Sequence, residues 1–275
     1  MTNLLQVFLL SVLQGITEFL PVSSSGHLIL FAKLTSFSDQ GLALDVAVHV
    51  GSILAVMIYF SEDIWNIVKN LFKTYFIPNL NNPGARLFWL IVIGTLPIIV
   101  VGFLLENSGM EWLRSTRIIG WTILGYGILL YIADKTGMTI RKIDHLTPID
   151  ALLIGCAQCL ALIPGTSRSG ITITMARFLG MERRDAAKFS MLLSIPAIIA
   201  AACLVAFEMY KTGNLSDIVT AIDGITYSFG ASIIAIYVVM WWLKKSTFLP
   251  FVIYRVFLGG FLLLDSYGYL NKFLD

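Results

Sequence analysis

Residues 14–27 read Gln-Gly-Ile-Thr-Glu-Phe-Leu-Pro-Val-Ser-Ser-Ser-Gly-His, in the middle of an otherwise apolar stretch over 4–34. Proline removes a backbone donor, glycine loosens the chain, and serine hydroxyls compete for backbone groups, so this segment interrupts a helix rather than continuing it. A second stretch, 149–180, is interrupted in the same way by Pro164-Gly165-Thr166-Ser167-Arg168-Ser169-Gly170. Each flanking arm is too short to cross a bilayer, which takes about 20 apolar residues. Broken backbone at membrane depth must be buried in protein or line a wet cavity, because lipid satisfies neither N–H nor C=O. Both segments are therefore expected to be re-entrant helical hairpins.

The rest of the chain supplies the membrane. Its 275 residues are 57% hydrophobic and 13% charged, with a mean hydropathy of +0.82. Soluble domains are about 45–50% apolar and about 25% charged, so one core cannot absorb this excess. The composition excludes a soluble enzyme, a disordered tail and a disulfide scaffold. A net charge of +2 is too balanced for a nucleic-acid partner. Six stretches have the length and composition of spans: 42–60, 86–105, 117–133, 186–208, 225–243 and 250–270. They lack strand alternation, so the expected fold is an all-α polytopic membrane protein of six transmembrane helices and two hairpins. The opening Met-Thr-Asn has no basic region of the signal-peptide kind. Cys156, Cys159 and Cys203 read as small buried apolar residues rather than a redox or metal motif.

Orientation follows from the basic residues. If both hairpins return to the side they enter and the N-terminus faces outward, twelve fall on the cytoplasmic side: Lys69, Lys73, Arg86, Lys135, Arg141, Lys142, Arg177, Arg183, Arg184, Lys188, Lys244 and Lys245. Five fall outside, namely Lys33, Arg114, Arg117, Lys211 and Lys272, while Arg168 and Arg255 stay at membrane depth. The positive-inside rule selects this arrangement over its inverse, with both termini outward. Segment 64–77 is then a basic amphipathic helix on the cytoplasmic surface or a plain connector.

A shift of 144 lays Gln14, Ser23, Ser25 and Gly26 over Gln158, Ser167, Ser169 and Gly170. Each copy opens a half with three spans, about 1–134 and 145–275, and an odd number of crossings brings the second hairpin in from the opposite face. Inverted repeats of this kind meet near the midplane and present helix termini there.

Ionisable residues at that depth are candidates for function. Glu18 lies one helical turn after Gln14, and a carboxylate beside an amide oxygen suits a divalent cation or a poised base. The bland alternative is an acid kept neutral in the bundle. His27 follows Ser23, Ser24 and Ser25, a pairing that fits either nucleophile and proton carrier or a helix cap. In the second break, Arg168 between Ser167 and Ser169, with Gly170 and Thr172 beyond, fits an anion cradle built on a helix N-terminus. Arg255 adds a second charge there or snorkels to headgroups. Asp45 and His49, one turn apart, support the site or simply pair with each other.

These motifs resemble the signatures of the bacterial undecaprenyl-diphosphate phosphatase family associated with bacitracin resistance. Residues 14–27 resemble its first signature and Pro-Gly-Thr-Ser-Arg-Ser-Gly-Ile-Thr-Ile-Thr at 164–174 its second. Ala-Val-His-Val-Gly-Ser-Ile-Leu-Ala-Val at 47–56 and Phe-Leu-Pro-Phe-Val-Ile-Tyr-Arg at 248–255 are similar to further family stretches, in the expected order. The resemblance implies an enzyme of the bacterial inner membrane that removes the terminal phosphate of undecaprenyl diphosphate and so recycles the lipid carrier of cell-wall synthesis. It also implies a magnesium or calcium ion and a site opening outward. By motif position, Glu18 is the essential glutamate and Gln14 the position taken by Glu or Gln. Ser23 and Ser24 are the serine pair, the second the usual proposed nucleophile, and His27 is the family histidine. Ser167, Arg168, Ser169, Gly170 and Thr172 match the phosphate-binding signature, and Arg255 the last-helix arginine. Gln14 in place of Glu removes one charge from the cation's surroundings.

The expected chemistry is hydrolysis at the terminal phosphorus. Arg168, the amides around Ser167–Gly170, a cation and Arg255 neutralise the diphosphate. Ser24 attacks or positions water, and Glu18 and His27 divide the acid and base work between them. The partners are the polyprenyl diphosphate and membrane lipids, and a homodimer is compatible with the sequence. An inverted-repeat transporter or lipid flippase is the alternative. A phosphatase of the acid-phosphatase type is disfavoured because no histidine follows Arg168.

Overall fold

The computed structural model describes residues 4–34, 42–105, 112–113, 115–212 and 218–269. Among them the chain is helical throughout: α1 (Leu4–Thr17), α2 (Ser24–Leu34), α3 (Leu42–Tyr59), α4 (Ser61–Lys73), α5 (Pro83–Leu105), α6 (Thr116–Thr136), α7 (Pro148–Gln158), α8 (Arg168–Phe178), α9 (Arg183–Thr212), α10 (Ile218–Trp242) and α11 (Leu249–Ser266). Short 3₁₀ turns cover Ile143–His145 and Cys159–Leu162. One helix occupies the greater part of each of the six apolar stretches, with 42–60, 225–243 and 250–270 running past the helix end, and each interrupted region folds as helix, break and helix. Four helices, Pro83–Leu105, Thr116–Thr136, Val219–Trp242 and Leu249–Ser266, are long and apolar enough to cross a membrane. A fifth span is formed if α3 and α4 count as one, although they meet at a 79° bend. The chain is thus a multi-pass membrane protein.

The bend reflects a change of composition. α4 carries Glu62 and Asp63 in its first turn and Lys73 in its last, as the helix dipole favours. It buries Ile67 and Leu71 and leaves Trp65 and Phe72 exposed, the pattern of a helix lying in a headgroup layer. It is shorter than the expected 64–77 and starts earlier. Lys188 of α9 ties it down through an ion pair to Asp63 at 2.7 Å.

The helices pair by a rule of exchange. α1 packs on α10 and α7 on α5; α3 packs on α10 and α9 on α5; α6 packs on α11 and α3 on α9. Swapping α1 with α7, α3 with α9, α5 with α10 and α6 with α11 returns these six pairings, whereas the packing of α6 and α9 on α8 and of α1 on α3 has no counterpart of like extent among the described residues. Small residues set the closest of them, because van der Waals contact rather than hydrophobic burial holds helices together in lipid. A Cβ on Gly155 of α7 would collide with the backbone of Gly94 in α5. Gly155→Ala is expected to lower stability by about 1–3 kcal/mol, seen as a lower unfolding midpoint in detergent. An unchanged midpoint would show that the two helices can part at no cost.

Two readings from the sequence are corrected. Arg177, counted among the cytoplasmic basic residues, is not at a solvated surface: it is fully buried and bonds Asp134 of α6 at 3.1 Å, beside Arg183 at 2.7 Å. A buried carboxylate needs such partners, and here it fastens α8 and α9 to α6. Cys156 and Cys203 are exposed and Cys159 is half-buried, all three with free thiols. In lipid a small apolar residue gains little by turning inward. The basic residues Arg114 and Lys272 lie outside the described residues, as do the side chains of Lys33 and Lys211 and the end of the 250–270 stretch.

Candidate active site

The two breaks have one local geometry. Ser23 and Ser167 both sit in the left-handed region, at φ 74° and 70°, where non-glycine backbone is strained and where functional sites often store strain. The reason is shared: each hydroxyl turns back to accept from the amide of the glycine three residues on, Gly26 at 3.4 Å and Gly170 at 3.1 Å. Each hydroxyl also meets that of the serine two residues on, Ser25 at 3.2 Å and Ser169 at 3.3 Å. The breaks then lock to one another. The Gly165 amide donates to Ser25 Oγ at 3.2 Å, and Ser169 Oγ donates to the Leu20 carbonyl at 2.9 Å. Gly165, at φ 91°, meets the demand of that turn without a side-chain clash.

Arg255, fully buried in α11, binds the junction from behind. Its Nε donates to Ile123 O at 3.0 Å and Nη1 to Pro21 O at 3.4 Å. Nη2 donates to Gly165 O at 3.2 Å, Thr166 O at 3.1 Å and Thr122 O at 3.4 Å. One planar fork thereby holds carbonyls of both breaks and of α6.

On the opposite side of the junction a cavity of about 400 Å³ opens, lined by Glu18, Ser24, Ser25, Ser167 and Arg168, with Asp45 and His49 of α3. The first residues of α2 and α8 are on this wall, so two helix N-termini face one space. Their dipoles favour an anion there. Arg168 Nη2 donates to Glu18 Oε1 at 2.8 Å. Gln14 Nε2 donates to Glu18 Oε2 at 2.7 Å, and Ser24 Oγ donates to the same oxygen at 3.2 Å. His49 Nδ1 lies 2.6 Å from the Asp45 carbonyl, an acceptor, which assigns the ring proton to Nδ1. His49 Nε2 then accepts from Gln14 at 3.0 Å and stands 3.8 Å from Glu18. Two buried atoms here have no partner: Arg168 Nη1, a donor, and Gln14 Oε1, an acceptor. Buried orphans are costly, so the cavity wall keeps an unused donor on Arg168, and Gln14, buried beside Glu18, keeps an unused acceptor.

The structure therefore gathers Glu18, Ser24, Ser167 and Arg168 around one cavity, with Gln14 buried beside it and bonded to Glu18. Other sequence candidates face elsewhere. His27 donates from Nδ1 to Ser23 O at 2.7 Å and accepts at Nε2 from Tyr254 Oη at 2.5 Å, so both ring nitrogens are used away from the cavity. Ser23, Ser169 and Gly170 spend their polar groups on the breaks, and Thr172 bonds Ser190 at 2.7 Å. Arg255 meets only backbone. Asp45 and His49, undecided from sequence, line the cavity; the signal for them was two ionisable groups one turn apart inside an apolar helix.

For a divalent cation, no group of three His, Cys, Asp or Glu side chains comes together among the described residues. Magnesium, however, is commonly held by one or two carboxylates with substrate phosphates and water completing the shell. Glu18 with the unpartnered Oε1 of Gln14 fits that lesser requirement.

A sequence profile described as "Bacitracin resistance protein BacA" matches residues 7–261. The undecaprenyl-diphosphatase of Dinoroseobacter shibae is 46% identical over 267 residues, covering 97% of this chain and 100% of that one. Undecaprenyl-diphosphatase 1 of Rhodospirillum rubrum is 45% identical over 271 residues, covering 96% and 95%. The undecaprenyl-diphosphatase of Hahella chejuensis is 48% identical over 268 residues, covering 96% and 98%.

Proposed function

The chain belongs to the bacitracin resistance protein BacA family, and from that premise we propose that it hydrolyses undecaprenyl diphosphate to undecaprenyl phosphate and inorganic phosphate. The observation that carries the reading is the placing of the Ser24 hydroxyl on the Glu18 carboxylate, which Arg168 pairs from its other oxygen. The terminal phosphoryl group enters between the N-termini of α2 and α8 and takes the free Nη1 donor of Arg168. Ser24 Oγ attacks the terminal phosphorus while its proton passes to Glu18 Oε2. The bond from phosphorus to the bridging oxygen breaks, and undecaprenyl phosphate leaves with that oxygen. Water then hydrolyses the phosphoserine, Glu18 accepting the water's proton as the serine oxygen recovers its own. Arg168 offsets the charge on the equatorial oxygens throughout. His27 holds the first serine turn to Tyr254 rather than moving protons. A magnesium or calcium ion held by Glu18 and Gln14 would neutralise charge on the phosphate oxygens.

The membrane arrangement belongs to the same proposal. Six spans and two re-entrant hairpins form an inverted repeat of about 1–134 and 145–275, in the bacterial inner membrane, with both termini and the cavity facing outward. The exchange rule in the packing and the matched strain of Ser23 and Ser167 support the repeat. The excess of basic residues in the loops supports the orientation. A transporter reading has no comparable support, since the relatives carry a phosphatase name.

The test is phosphate release from undecaprenyl diphosphate by the purified protein in detergent. One phosphate per lipid is expected, stopping with a chelator and returning with magnesium or calcium. Folded protein that releases none from any prenyl diphosphate refutes the activity. Release that continues unchanged under the chelator removes the cation from the scheme.

A further inference from the structure

The catalytic cavity continues into an apolar groove on the outer face of α3 and α9. This groove has a volume of about 380 Å³, and it shares Val46 and Ala202 with the polar cavity. From that mouth Val46, Val50, Leu54 and Met57 run down one stripe of α3, facing Ile199 of α9. The stripe covers eleven residue steps, roughly 16 Å at the α-helical rise. Leu54, Met57 and Ile199 are 40%, 38% and 44% exposed, so the groove lies open along its length. Two other apolar grooves behave differently. The larger one, about 730 Å³ between α1, α10 and α11, shares no lining residue with the cavity, nor does the one along α6.

We propose that the groove between α3 and α9 holds the first isoprenyl units of the lipid substrate, with the diphosphate in the cavity and the rest of the chain in the bilayer. The inference rests on the phosphatase reading above and adds where the tail lies. Continuity with the cavity at Val46 and Ala202 names the occupant: a molecule with an anionic head against Arg168 and an apolar tail in the groove spans both spaces without crossing a polar barrier. Hydrocarbon gains little by leaving lipid for protein, so the groove acts through shape. It fixes the direction of the first units and so aims the phosphorus at Ser24, a use of remote binding to orient the reacting centre. Met57 is at the far end, and a two-unit prenyl chain ends short of it.

The test compares kcat/KM for undecaprenyl and geranyl diphosphate as a ratio. Met57→Trp fills the far end, and the ratio is expected to fall about tenfold. Ile234→Trp, placed in the separate groove on α10, should leave the ratio as it is. An unchanged ratio in Met57→Trp overturns the proposal, and so does a fall in Ile234→Trp. A photoreactive prenyl diphosphate with its diazirine in the third unit gives a readout on the unmodified protein. Labelling at Leu54, Met57 or Ile199 supports the groove, and labelling on α1 or α10 refutes it. Absence of hydrolysis with either lipid, by contrast, counts against the phosphatase reading itself, and the labelling pattern then still decides where a prenyl chain lies.

Discussion

Arg168→Ala is expected to lower phosphate release about 10³-fold, the scale on which a single arginine or oxyanion donor acts in phosphoryl and acyl transfer. Its guanidinium has two tasks that a methyl group cannot share. Nη2 pairs with Glu18 at 2.8 Å, and Nη1 is a buried donor without a partner until an anion enters. Removal takes away the anion contact and leaves the Glu18 carboxylate without its charged partner. Arg168→Lys restores the charge but not the planar fork, so most of the loss should remain. Ser24→Ala makes the complementary case, because it leaves the Arg168–Glu18 pair standing. That variant should keep its affinity for the lipid and lose turnover, separating binding from chemistry. Steady-state kinetics with substrate binding measured independently checks both, and near-normal turnover in either refutes the assigned roles.

Arg255→Met should be among the most destabilising changes in the molecule, by about 3–5 kcal/mol, the range for removing one partner of a buried charged network. The fork donates to carbonyls of Pro21, Gly165 and Thr166 at the breaks and of Thr122 and Ile123 in α6. Methionine fills much of the volume and satisfies none of them. A single ammonium reaches few of those carbonyls, so Arg255→Lys should recover little. Thermal unfolding in detergent, read beside activity, distinguishes this clamp from a phosphate contact. A clamp loses stability and turnover together, whereas a phosphate contact would lose affinity with the unfolding midpoint intact. A variant as stable and active as the parent would remove the clamp.

The breaks, the apolar helices and the candidacy of Glu18 and Arg168 were legible because each depends on depth; that the two pair with each other was not. Proline, glycine and serine inside an apolar run mark where helices stop, and a charge inside lipid must find a partner. What sequence spacing does not reveal is direction around a helix axis when both sides are apolar. His27 and Arg255 have the right depth for phosphate contact, yet one faces Tyr254 and the other faces carbonyls. His49 reaches Gln14 because α1 and α3 pack together and both pack on α10. Cys156 and Cys203 face outward for the same reason: no preference for burial separates an apolar neighbour from an apolar solvent. The 79° bend before α4 was half legible, through the change to charged residues at Glu62 and Asp63.

The reciprocal serine contacts, Ser25 to the Gly165 amide and Ser169 to the Leu20 carbonyl, join segments some 140 to 149 positions apart. Ser24 and Glu18, the proposed nucleophile and base, come from the first of these segments and Arg168 from the second. On the proposed roles, a ribosome that has finished only the first half has made a serine without its anion holder, and reactivity waits for the second broken segment to join the first. Catalytic competence is a property of the completed chain, and insertion of its second half doubles as the switch that arms the first.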